Sequence, residues 1–170
     1  MVKLFYKQTI LSQMRKKIIF SLIAVVLLVI IAILVKAVWM GKGNALSTAE
    51  INGNIFNVEI ADSEFSRLKG LRGRENLDEN KGMLFLFEEK TSPVFWMKGV
   101  KFPLDLIWID DDVIVGITEN AIPAESIPAE GIKLYSLEDK PINKVLEING
   151  GLSEKLNISI GDKVIINIAE

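Results

Sequence analysis

The stretch LDLIWID (Leu104–Asp110) places a carboxylate where a strand would bury it. Side chains alternate along a strand, so Leu104, Leu106 and Trp108 share one face and Asp105, Ile107 and Ile109 the other. Apart from Asp105, both faces are apolar. A carboxylate in such a place needs donors, a cation or a proton. Asp105 is therefore a structural tie, a ligand-binding group or a catalytic acid. Among Arg67, Arg72, Arg74 and Lys98, the cations close in sequence to buried segments, Arg74 or Lys98 beside Asp105 would make a charge-assisted pair. With Trp96 these residues form a candidate ligand-binding set of Arg74, Trp96, Lys98 and Asp105. Glu147, in LEINGG (Leu146–Gly151), also sits between apolar neighbours, and Gly150-Gly151 lets the backbone approach closely. It is a strand-end glutamate, a partner for an arginine, or a second carboxylate beside Asp105. Asp105 and Glu147 in one cleft would be the acid–base arrangement open to this chain, which makes them the catalytic candidates.

Other chemistries are narrowed by composition. The chain has 170 residues, no Cys and no His. That removes disulfides, thiolate ligands, histidine-based dyads and triads, and nearly all zinc sites. Met83 and Met97 on strands read as core rather than as a soft-metal site. Ile109–Asp112 (IDDD) lacks the glycine and terminal glutamate of a calcium loop and reads as a solvated turn. No metal and no cofactor is expected. A net charge of −2, with no basic cluster after residue 45, gives no reason to expect a nucleic-acid partner.

The elements that must position these groups are short. Asn52-Gly53 between two apolar runs predicts a hairpin within Ala49–Ala61. Asp62 or Ser63 can cap a two-turn helix that carries Phe65 and Leu68 on one face and stops at Gly70. Strands are expected at Met83–Glu88, Val94–Met97, Leu104–Asp110, Val113–Glu119, Lys144–Asn149 and Lys163–Ile168, with a short helix after Gly150-Gly151. Turns fall at Asp111-Asp112 and Gly161-Asp162. IPAE occurs twice in Ile122–Gly131 and reads as a proline-stiffened loop. The predicted class is β-dominated α+β, a small sandwich or barrel with one or two short helices.

Ahead of this domain, Ile18–Val35 runs without a charge. As a helix it spans roughly 27 Å, close to the hydrocarbon thickness of a bilayer. Lys3, Lys7, Arg15, Lys16 and Lys17 precede it and no acidic residue does, which puts the N-terminus in the cytoplasm. A cleaved signal peptide is the rival, but its apolar core is usually shorter, and the best small-x-small site, at Gly43 and Ala45, lies far downstream. The predicted organisation is a basic tail at 1–17, a transmembrane anchor at 18–40, a linker at 41–47 and an extracytoplasmic domain at 48–170. The lipid bilayer is thus an expected partner through 18–40, and the location is the cytoplasmic membrane, single-pass.

The order of motifs along the domain resembles the domain of unknown function 192 family. The residues that carry it are Arg67–Leu71 (RLKGL), Gly73-Arg74 and Leu77, Gly82–Phe87 (GMLFLF), Trp96-Met97-Lys98, Pro103-Leu104-Asp105, Ile109-Asp110, Leu146–Gly151 and Gly161–Val164. The resemblance implies a compact β-rich domain, often behind a signal or anchor, and no assigned reaction. This chain departs from the family pattern at Arg72, where members tend to have Met, and at Gly99-Val100, where they tend to have Asn-Thr. The expected function is a membrane-anchored binding module for a polar or carbohydrate-like envelope ligand. The alternatives are an envelope interaction or assembly factor, and a hydrolase or transferase working through Asp105 and Glu147.

Overall fold

The computed structural model describes residues 25–31, 33, 46–124, 133–138 and 140–169. The chain divides into two units, Met1–Ala45 and Leu46–Glu170. In the first, residues 25–31 and 33 are helical and their large side chains are exposed. Among the described residues no helix is long and apolar enough to cross a membrane. The remainder of the expected anchor at 18–40, the basic tail and most of the linker lie outside the described residues. So does the whole of the second IPAE copy.

The second unit holds β1 (Ser47–Ile51), β2 (Asn54–Ala61), α1 (Glu64–Lys69), β3 (Lys81–Thr91), β4 (Phe95–Trp96), β5 (Leu104–Asp110), β6 (Val113–Ala121), β7 (Leu134–Tyr135), β8 (Ile142–Asn149), α2 (Leu152–Lys155) and β9 (Val164–Asn167). The β1–β2 hairpin turns at Asn52-Gly53, both with positive φ, the conformation that favours this pair in two-residue hairpin loops. Ser63 caps α1 and makes a reciprocal box with Ser66, and Gly70 ends it. No residue of α1 is buried; Phe65 and Leu68 both face solvent.

Seven strands form one sheet in the order β6-β5-β8-β3-β2-β1-β9. Every neighbouring pair is antiparallel except β2–β3. A parallel pair needs a crossover, and α1 with the loop after it supplies one. The short pair β4–β7 stands apart from this sheet. The sequence left sandwich or barrel open; in the structure the seven-stranded sheet is curled into a half-barrel. An isolated bridge, Val113 to Lys163, brings the β6 end of the sheet to the chain just before β9.

Curling gives the sheet two different apolar faces. The concave side gathers Ala49, Ile51, Phe56, Leu84, Ile107, Ile109, Ile114, Leu146, Ile148 and Val164, from edge and central strands alike, and Leu152 of α2 packs with them. The convex side carries Met83, Phe85, Leu104, Leu106, Trp108 and Val145, covered by Leu71, Met97, Val100 and Tyr135 from the loops and the small pair. Edge-to-face contacts of Phe95 with Phe85 (4.9 Å) and Trp108 (5.5 Å) fasten β4 to this side. Such pairs add about 0.5–1.5 kcal/mol each to the burial of the rings. Trp108 also donates its indole N–H to Thr118 Oγ1 at 3.0 Å.

Candidate functional site

Asp105 belongs to the concave face, in register with Ile148 and on the same side as Ile107 and Ile109. It is 0% exposed. Oδ1 accepts from the Asn120 N–H (2.8 Å) and the Gly151 N–H (3.0 Å), and Oδ2 accepts from the Ser153 N–H (2.8 Å) and the Ser153 hydroxyl (2.6 Å). The two donors from Ser153 lie 48 residues away in the chain. Gly151 adopts a φ of +81°, a conformation glycine reaches without a side-chain penalty, and so turns its N–H toward the carboxylate. Asp105 thus fastens β5 to the end of β6 and the start of α2.

This corrects the sequence expectation that a cation holds Asp105. Arg74 instead makes a bidentate pair with Glu59, at 2.6 and 2.7 Å. The hydrogen bond from Arg74 holds the Glu59 carboxyl below its ordinary range despite partial burial. Lys98 is exposed, with Nζ 5.7 Å from the centre of the Trp96 ring. The shared cleft of Asp105 and Glu147 is also absent. Glu147 is in register with Met83 on one side and Leu106 on the other, both convex-face residues, so the sheet separates the two carboxyls.

Glu147 has the opposite environment to Asp105. It is 6% exposed, its Oε2 is buried with no hydrogen-bond partner among the described residues, and burial alone pushes its carboxyl up to about 8. At neutral pH the side chain is mainly the uncharged acid. Gly82, the β3 neighbour of this strand, permits the close approach here, since a Cβ at that position would lie 2.7 Å from the Glu147 carbonyl.

A cavity of about 230 Å³ opens beside Glu147 on the convex side. Its apolar wall comes from Leu71, Phe85, Phe87, Phe95, Trp96 and Val100, and α1 with the residues after it forms the other wall. Arg67 is committed, donating from Nη1 to the Asp62 and Leu86 carbonyls and lying 5.3 Å from the Phe87 ring centre. Arg72 is not: its guanidinium carbon lies 4.9 Å from the Trp96 ring centre, while Nη2 is buried without a hydrogen-bond partner. Its stem lies in van der Waals contact with the position a Cβ on Gly99 would take, 3.6 Å away, and the Gly73 N–H donates to the Gly99 carbonyl at 2.8 Å. The two departures from the family pattern are thus neighbours in space.

Of the sequence candidates, Trp96 and Glu147 meet at this cavity, Lys98 stands beside Trp96, and Arg74 and Asp105 are engaged elsewhere. Arg72 was visible in the sequence only as a cation near buried segments and as a departure from the family pattern. Met83 and Met97 are core residues. Asp110 and Asp111 pair with Lys90, at 2.6 and 2.9 Å. Among the described residues no group of three or more Asp or Glu side chains converges to hold a metal ion.

These features define a curled β domain with a ring-sized, aromatic-walled cavity outside its sheet. The chain belongs to the DUF192 family, described as Uncharacterized ACR, whose model matches residues 47–166. No curated protein matches it. Among solved structures, it is similar to a protein of unknown function from Novosphingobium aromaticivorans, at 32% identity and a TM-score of 0.62, over 69% of this chain and 83% of that one. It is also similar to a protein from Sinorhizobium meliloti provisionally described as a transcription regulator, at 30% identity and a TM-score of 0.62, over 71% of this chain and 91% of that one.

Proposed function

We propose that the domain is a binding module for a polar, carbohydrate-like envelope ligand, held outside the cytoplasmic membrane by the segment 18–40. The observation that carries the reading is the cavity in which Arg72 and Glu147 each keep a buried polar atom without a protein partner. Buried polar groups are nearly always satisfied, and an orphan at a cavity wall is accounted for by something that enters the cavity. Trp96, 40% exposed, offers a ring face at the mouth. The uncharged run Ile18–Val35 and its basic flank support the anchor and its orientation.

A second reading, an envelope assembly factor, is favoured by the exposed side chains of Phe65, Leu68 and Val94 near the cavity. A partner would cover them. The hydrolase reading loses its paired carboxylates, because Asp105 and Glu147 lie on opposite faces. Nucleic-acid binding, which the description of the Sinorhizobium meliloti relative invites, is disfavoured by the net charge of −2.

The test is thermal unfolding of the full chain with neutral sugars, amino sugars and uronic acids. A ligand at about 100 times its Kd stabilises by about 2.7 kcal/mol, a clear rise in Tm. At least one class should produce it, and Trp96→Ala should remove it. If no sugar class shifts Tm, the carbohydrate reading fails.

A further inference from the structure

We propose that the cavity selects a ring-sized organic acid, its carboxylate on Arg72 and a hydroxyl or carbonyl oxygen elsewhere on the ring against Glu147. This deepens the binding reading and rests on it. Size comes first. At about 230 Å³ the cavity is smaller than most drug-sized sites and suits one ring with its substituents. The walls suit the faces of a ring: Phe85, Phe87, Phe95 and Trp96 are aromatic, and Leu71 and Val100 are apolar. The polar groups then set what the ring must carry.

Charge gives the sign. The ionisable residues lining the cavity are Glu64, Arg67 and Lys69 of α1, Arg72 after it, and Glu147 on β8. Glu147 is uncharged at neutral pH, because burial raises its carboxyl to about 8. The cations Arg67, Lys69 and Arg72 then outweigh Glu64, and the cavity favours an anion. Arg72 is the cation with a buried donor still unused. A carboxylate matches the planar guanidinium with charge-assisted hydrogen bonds. Glu147, as a neutral acid, both donates and accepts, so it pairs with a hydroxyl or carbonyl oxygen without a charged partner.

Glu147 is flanked in register by Met83 and Leu106, neither of which titrates, and the ionisable groups that share its cavity are Glu64, Arg67, Lys69 and Arg72. As pH rises through about 8 its carboxyl ionises beside a bound anion. Affinity for acids should fall there, while affinity for neutral rings of the same shape changes less.

Two sources share this chemistry, sugar acids and hydroxyaryl acids, and the test separates them. Isothermal titration of the full chain would compare glucuronate with glucose, and 4-hydroxybenzoate with 4-hydroxybenzamide. At least one acid should bind about tenfold or more tighter than its neutral counterpart, as expected for a charge-assisted hydrogen bond. The sugar arm or the aryl arm identifies the source. Arg72→Gln should weaken the acid by about tenfold or more and the neutral ring by less, and Arg72→Lys should keep part of the preference. Circular dichroism of each variant establishes that it is folded. Equal affinity for acids and neutral counterparts, or an acid preference that survives Arg72→Gln, would overturn the inference and leave the binding reading standing. Failure of all four probes to bind overturns the inference, and the binding reading then stands or falls with the wider sugar series.

Discussion

Asp105 and Glu147 are two buried carboxyls on adjacent strands of one sheet, and they are opposites. Asp105 has four hydrogen bonds; Glu147 has a cavity beside it and a buried oxygen without a partner among the described residues. Burial is nearly the same, at 0% and 6% exposed. What separates a structural carboxyl from a candidate functional one is the count of donors that reach it. Donors aimed at Asp105 compensate its loss of water, and among the described residues no donor does so for Glu147 Oε2.

The largest effect tests the structural half. Asp105→Ala removes the acceptor of the buried Ser153 N–H and hydroxyl and of the part-buried Asn120 and Gly151 N–H groups. At about 1–3 kcal/mol for each unsatisfied donor, the loss is about 5 kcal/mol, comparable to the whole stability of a marginal domain. Urea unfolding should find the variant mostly unfolded without denaturant. A loss below about 1 kcal/mol would break the contrast.

Glu147 should show a medium effect that depends on pH. Its carboxyl is raised from 4.5 to about 8 by burial, so the folded protein keeps a proton that the unfolded chain releases. Stability attributable to this group is complete below pH 4.5, falls as pH rises, and levels off above about 8. At 1.36 kcal/mol per pH unit the fall reaches about 3 kcal/mol by pH 7, less where water enters the cavity. Glu147→Gln should flatten this slope in urea titrations across pH. An unchanged slope would mean that another group titrates.

The smallest effect compares two arginines. Arg74 pairs with Glu59 in solvent, with 32% and 54% of the side chains exposed, so Arg74→Ala should cost at most about 1 kcal/mol. Arg72→Ala should cost a similar amount, because it removes a contact with Trp96 together with an unsatisfied donor. The two should part only in ligand titrations, where Arg72→Ala weakens binding and Arg74→Ala does not. Equal effects on binding would extend the site to Arg74.

Where partners are local, the chain was readable from residue order alone. Alternation in Leu104–Asp110 assigns Asp105 and Trp108 to opposite faces, and both are where that pattern puts them. Asn52-Gly53 specifies its hairpin, and Ser63 and Gly70 bound α1. These signals rest on a two-residue period and on φ preferences, which act within a few residues. Arg74 and Lys98 were the expected partners for Asp105, yet its donors come from β6, from the glycine before α2 and from α2 itself. That choice depends on β8 lying between β5 and β3, an order that no local period encodes. The same insertion puts Glu147 between Met83 and Leu106 and turns it toward Arg72 and Trp96 across a cavity that only the curled sheet and its covering loops create. Residue order determined which side chains would be buried, because burial follows the period of the strand; tertiary pairing decided which of them would find a partner, because donors and acceptors are brought together across tens of residues.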